Sequence, residues 1–82
     1  MRYKLLISEE ARKQLRALPK PVRRGIGLRL DTLQNDFSGQ VRKLTAHEHK
    51  YRLRVGAYRV LFQLEGATIF VYAVKQRKEA YD

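Results

Sequence analysis

The sequence predicts an α+β domain in the order β-α-α-β-β-β, with two N-terminal helices packed on one face of a small antiparallel sheet that has a mixed edge. Three observations predict it. Residues 51–75 alternate apolar and basic side chains with period two, the signature of strands with one buried face. Two earlier stretches repeat apolar residues at helical spacing instead. The opening RYKLLI alternates again. At 82 residues the chain is one domain, residues 1–82, with room for a modest core.

Residues 2–7 form the first strand, with Tyr3, Leu5 and Ile7 on one face. Ser8 is placed to cap a helix. Glu9 and Glu10 follow in its first turn, where the macrodipole favours carboxylates. Ala11, Leu15 and Leu18 make the apolar stripe, and Arg12, Lys13 and Arg16 cover the outside. Pro19 ends this helix. Pro21 opens the next, in a first turn where its missing N–H costs little. Val22, Ile26, Leu30 and Leu33 mark the buried side, closed by Phe37. Gly25 and Gly27 each weaken a helix by about 1 kcal/mol against Ala, which suits either close approach to the first helix or simply a weak helix. Lys20, Arg23 and Arg24 crowd the end where the dipole disfavours cations. That crowding suits either an anionic contact or a solvated basic face. Residues 35–39 are rich in turn formers, residues 40–44 fit a short edge strand or a loop, and residues 45–50 are polar.

The three remaining strands can be registered from their turns. Gly56-Ala57 suits a two-residue hairpin loop with Gly first. Val55 then faces Tyr58, Leu53 faces Val60, and Tyr51 faces Phe62. The opposite face sets Arg54 against Arg59, with Arg52 beside them. Like charges directly opposed destabilise a sheet, a cost most easily borne where the face meets an anion. For the next turn a three-residue loop, Glu65-Gly66-Ala67, avoids placing Glu65 at positive φ. It sets Leu64 against Thr68, Phe62 against Phe70, Val60 against Tyr72 and Tyr58 against Val74. Lys75 then joins the arginine face. Tyr3, Tyr51, Tyr58, Phe62 and Tyr72 are assigned to the core.

Lys and Arg number 18 against 8 Asp and Glu, a formal net charge of +10. Such an excess points to a polyanionic partner. There is no cysteine, hence no disulfide or thiolate metal site. No apolar run has the length of a signal peptide or a membrane span, so a cytoplasmic protein without a membrane partner is expected. His47 and His49 lie in Ala-His-Glu-His-Lys. That spacing is not His-Glu-x-x-His, so a structural or solvated role is expected, with neither metal nor cofactor.

Two segments carry a resemblance: YRLRVGAYRVLF from Tyr51, and VKQRKEAY ending at Tyr81. With the order of elements, they resemble the RelE/ParE superfamily of bacterial toxins across essentially the whole chain. The resemblance implies the toxin of a toxin–antitoxin pair. RelE-type members cleave mRNA in the ribosomal decoding site without a metal, and ParE-type members poison DNA gyrase. RelE-type sites carry two basic residues on one strand, an arginine in Tyr-Arg, a basic residue after the last strand, and a tyrosine near the C-terminus. These positions match Arg52, Arg54, Arg59, Lys75 and Tyr81 here, and Arg77 lies in the same run. Tyr81 tilts the reading toward the endoribonuclease.

RNA can be cut by its own 2′-OH attacking the adjacent phosphorus. This needs a base for the 2′-OH, positive charge on the phosphoryl oxygens, and a proton for the leaving 5′-oxygen. Arg59 suits the charge role, because a guanidinium fork binds phosphate oxygens bidentately. Arg52, Arg54 and Arg77 suit the RNA backbone. RelE-type members often have lysines at the first two of these positions. Arginine does not deprotonate in proteins, so the base falls to Tyr81 or Lys75, or to a ribosomal group. Lys75 suits either the acid or a further arm of the phosphate clamp. Family members often continue into a C-terminal helix where this chain stops at Asp82, so Tyr81 is expected to settle on substrate binding. The expected partners are the ribosome with its mRNA and a cognate antitoxin with an acidic or amphipathic segment, in a hetero-oligomeric complex. The competing readings are a gyrase inhibitor and a non-enzymatic RNA-binding module.

Overall fold

A computed structural model of the chain describes residues 2–36, 41–44 and 49–76. Its elements are β1 (Lys4–Ile7), α1 (Glu9–Arg16), α2 (Lys20–Asn35), β2 (Val41–Lys43), β3 (Lys50–Val55), β4 (Tyr58–Glu65) and β5 (Thr68–Gln76). The strands form one five-stranded sheet in the order β1-β5-β4-β3-β2. β1 runs parallel to β5, and the other pairs are antiparallel. The parallel pair is the predicted mixed edge. The α1–α2 excursion between β1 and β2 carries the helices onto the core face.

Ser8 joins β1 to α1 and does three things at once. Its Oγ accepts from Ala11 N–H at 3.1 Å, capping the helix as predicted. Its own N–H donates to Val71 O at 2.8 Å, and its Oγ–H donates to Tyr72 O at 3.4 Å. β1 stops pairing with β5 at Val71, which leaves the rest of that edge without a strand neighbour. The first helix takes over. Gln14 Oε1 accepts from Val74 N–H at 2.6 Å, so a side chain stands in for a strand carbonyl.

α2 begins with Pro21 in its first turn and has no side-chain cap. Ile26, Leu30 and Leu33 are buried, and Val22 packs beside them. Its C-terminal end is tied to β1. Tyr3 N–H donates to Gln34 O at 2.8 Å, and Gln34 Nε2 donates to Tyr3 O at 2.9 Å. Arg2 reaches Asp31 at 3.2 Å and Asn35 at 2.8 Å.

The core lies between these helices and the sheet. Phe62, Leu53, Val60, Ile69 and Val71 supply it from the strands, and Ala11, Ile26, Leu30 and Leu33 from the helices. The Tyr51 ring stacks on Phe62, with centroids 5.5 Å apart and planes inclined by 14°. Phe62 is fully buried, so truncating it to Ala would cost about 3–5 kcal/mol.

Residues 41–43 are an edge strand, which decides between the two readings of that stretch. Phe37 and His47 lie outside the described residues. Three expectations are corrected. First, Gly25 and Gly27 mark no close approach, since a Cβ at either would meet nothing within 4 Å. Second, the β4–β5 loop has two residues. Glu65 stays in β4 opposite Thr68, and Gly66 takes positive φ (58°), as Gly56 does in the preceding turn. A three-residue loop serves to spare Glu65 that conformation, and Gly66 at positive φ removes the need.

A one-residue change of loop length flips every side chain beyond it. Here a bulge flips them back. Leu61 faces Ala73 but Phe62 faces Val71, so Tyr72 is an extra residue in β5. Phe62 therefore faces Val71 rather than Phe70, and Leu64 faces Ile69 rather than Thr68. Val60 faces Val74 and Tyr58 faces Gln76. The third correction follows: Tyr72 is ejected from the core, while Tyr3, Tyr51, Tyr58 and Phe62 remain in or against it.

Candidate functional site

The face of the sheet turned away from the core is built by the alternation that builds the core. On β3, Leu53 is buried with Tyr51 and Val55 packed near it, so Lys50, Arg52 and Arg54 point outward. On β4, Val60 and Phe62 point in, so Arg59, Leu61 and Gln63 point out. The bulge gives β5 the matching phase: Val74 and Val71 face in, and Ala73 and Lys75 face out. The first hairpin has the predicted register, with Arg54 opposite Arg59. Arg59 is in turn opposite Lys75, so these three cations occupy one row across three strands. Arg52 stands one step along, opposite Leu61.

Arg54 and Arg59 are half-buried, and Lys75 is exposed. The Arg59 Nε is shut off from solvent, so the guanidinium rises from inside the sheet surface. Opposed like charges cost a sheet about 0.2–1 kcal/mol per pair, and this row contains two such pairs. The acid on the same strand face, Glu65, sits at the far end of β4. Positive charge is therefore concentrated at one end of the face. Beside that end a cleft of about 350 Å³ opens between α1 and β5, lined by Gln14, Leu18, Tyr58, Lys75 and Gln76.

Thus Arg52, Arg54, Arg59 and Lys75 stand together on one face, as the alternation predicted. Arg77 and Tyr81 lie outside the described residues. Other members of the face were missed, among them Arg42 on β2, opposite Arg52, and Phe70 on β5, opposite Gln63, together with Lys50 and Tyr72. Lys50 Nζ lies 5.4 Å from the centre of the Tyr72 ring. Burial raises the Tyr72 phenol above its usual value. Lys50 was legible, being two residues before Arg52 in an alternating strand. Tyr72 was not, because its outward aim follows from the two-residue Gly66-Ala67 loop, and a three-residue loop places it inward.

The family described as the ParE toxin of the type II toxin–antitoxin system parDE matches residues 5–81. The chain belongs to the RelE/ParE superfamily of toxins. It lies on the RelE-like side: the toxin RelE3 of Methanocaldococcus jannaschii is 32% identical over 84 residues, covering 96% of each chain. In the solved RelE–RelB complex of Pyrococcus horikoshii, the matching chain superposes with a TM-score of 0.83 at 28% identity, over 98% of this chain and 100% of that one. A mutant Escherichia coli RelE in the free state shares the fold, with a TM-score of 0.83 at 23% identity, over 98% of this chain and 88% of that one. The protein is thus a toxin of a type II toxin–antitoxin system, of the RelE kind. Among the described residues of this toxin, no helix is long and apolar enough to cross a membrane.

Proposed function

We propose that this toxin is a metal-independent endoribonuclease that cuts mRNA in the ribosomal A site and so arrests translation. The observation that carries the reading is the row Arg54, Arg59, Lys75 with Arg52 beside it. Opposed like charges cost the sheet stability, a cost most easily borne where an anion lies across them. Arg59, central in the row, neutralises the phosphoryl oxygens, and loss of one such donor typically costs about 10²–10³ in rate. Arg52, Arg54 and Arg77 hold the flanking phosphates. The 2′-OH attacks phosphorus as Tyr81, in its phenolate form, takes its proton. The P–O bond to the 5′-oxygen breaks as Lys75 supplies a proton to it. The products are a 2′,3′-cyclic phosphate and a 5′-OH.

Charge of this density must be covered when the toxin is silent. Related RelE toxins are solved in complex with RelB antitoxins. We infer a cognate antitoxin whose acidic or amphipathic segment covers the same basic face in a hetero-oligomeric complex. The target places the toxin's action in the cytoplasm.

Primer extension on mRNA from cells briefly expressing the wild type, Arg59→Ala and Tyr81→Phe tests the reading. In-frame cuts within translated regions, lost in Arg59→Ala, are expected. Tyr81→Phe should lose most of the cutting if its hydroxyl is the base. The match to the ParE family supports a second reading, inhibition of DNA gyrase. Growth arrest and an SOS response with intact mRNA would establish it in place of the first.

A further inference from the structure

The outward face continues past the cationic row in a way that phosphate binding does not explain. Lys50 lies on β3 and Tyr72 on β5, with β4 between them. Their side chains meet at 5.4 Å, so they cross the outer surface of β4. Leu61 lies below, opposite Ala73, and Gln63 stands next along the strand, opposite Lys50. Each two-residue step along β4 is about 7 Å. From Arg59, the strand therefore presents a phosphate-binding charge, then an apolar floor with an aromatic ring over it, then a side-chain amide. The ring faces outward because the two-residue loop sets Val71 inward opposite Phe62, and Tyr72 is the next residue along the strand. Its phenol stays protonated well into the alkaline range, so it acts as a neutral surface.

We propose that Tyr72 is a stacking platform for a nucleobase of single-stranded RNA, placed one step beyond the Arg54–Arg59–Lys75 row, with Lys50 as a movable cover. The inference rests on the toxin acting on RNA and adds where the base beside the held phosphate goes. In the free protein the Lys50 ammonium occupies the ring by a cation–π contact. An incoming base takes the ring face, and the displaced ammonium pairs with a flanking phosphate. Gln63, one step further along β4 and opposite Phe70, can donate to or accept from the base edge. Stacking reads the π-face, so the platform takes any base.

Two probes separate stacking from charge: a single-stranded RNA 10-mer, and an abasic phosphodiester of the same length. At a net charge of +10 the intact protein will bind both at low salt, whether or not it cuts RNA. Fluorescence anisotropy should show the base-bearing strand bound about 5- to 100-fold tighter. Tyr72→Ala should erase that preference and Tyr72→Phe should keep it. Lys50→Ala should lower the salt slope for both strands by about 0.7–1 while retaining the preference. Thermal melts of the variants check folding, since Tyr72 is outside the buried core cluster. A preference that survives Tyr72→Ala, or a wild type with none, overturns the proposal. Intact mRNA in cells would instead sink the nuclease reading, and the binding arms would still decide the role of Tyr72.

Discussion

Arg54→Met tests whether the basic row is kept for function at the expense of stability. The substitution preserves an unbranched apolar stem on a half-buried position and removes one charge. Arg54 is directly opposite Arg59, so the change relieves one opposed pair, about 0.2–1 kcal/mol. Arg52, two residues away on the same face, adds a smaller repulsion in the same direction. For a domain near this size, 1 kcal/mol moves Tm by about 4–8 °C, so a rise of about 1–8 °C is expected. The gain should shrink with salt. Opposed strands lie about 5 Å apart, well inside the Debye length of about 10 Å at 0.1 M and beyond the 3 Å at 1 M. Wild-type and variant melts should therefore converge as salt rises. RNA affinity should move the other way, falling with a salt slope shallower by about 0.7–1. Differential scanning calorimetry across a salt series, with anisotropy titrations alongside, measures both. A lower Tm for Arg54→Met at every salt concentration would mean that Arg54 holds the sheet together, and the functional reading of the row would lose its basis.

Three further outcomes are expected. Gln14→Leu leaves Val74 N–H without its acceptor where no strand can replace it, costing about 1–3 kcal/mol, while Gln14→Glu keeps an acceptor; urea melts read the difference as a shifted midpoint at unchanged slope. The same substitution should have opposite signs at two glycines. Gly25→Ala, in a helix with open space for a Cβ, should stabilise by about 0.5–1 kcal/mol, while Gly66→Ala, at φ 58°, should destabilise by about 1 kcal/mol. Burial should make Tyr72 titrate above the ordinary tyrosine value of about 10, seen as late phenolate absorbance that Tyr72→Phe removes. Below pH 10 the phenol is neutral whether the chain is folded or not, and it adds no pH dependence. Above that, the unfolded chain ionises first, so unfolding releases a proton and stability falls as pH rises toward the folded value. Stability of Tyr72→Phe should fall less over that window.

Where the fold was legible, short-range chemistry decided it. Ser8 capped α1 because its neighbours supplied a first turn of carboxylates and an apolar stripe. The Arg54–Arg59 opposition followed from one tight turn, because Gly56 fixes the loop at two residues. The second hairpin was different. Its loop was misjudged by one residue, and the face of Lys75 still came out as expected, because the unforeseen bulge at Tyr72 restored the phase. Two errors cancelled for Lys75 and did not cancel for Tyr72. Nothing local forces that bulge. It is set by what both ends of β5 must bury: Ile69 and Val71 on one side of it, Val74 on the other. A strand held in phase with the core at both ends absorbs its odd residue in the middle.

The bulge also explains how one short sheet carries both a core and a charged face. Were β5 regular beyond the Gly66-Ala67 turn, Lys75 would point inward, with Ala73 beside it, and Val74 and Tyr72 would point out. The core would receive a cation and the basic row would lose its third member. The extra residue prevents both. Its side chain is left over from the packing problem and lies on the outer surface of β4 next to the arginines. A bulge beside a functional surface re-aims side chains as well as relieving register. Here it aims Lys75 into the cationic row, on the face where the loop has already turned Tyr72. Deleting Tyr72 would leave a regular strand with Val71 still opposite Phe62, Ala73 opposite Leu61 and Lys75 opposite Arg59, so the core and the cationic row should keep their phase while the preference for base-bearing RNA is lost, as in Tyr72→Ala.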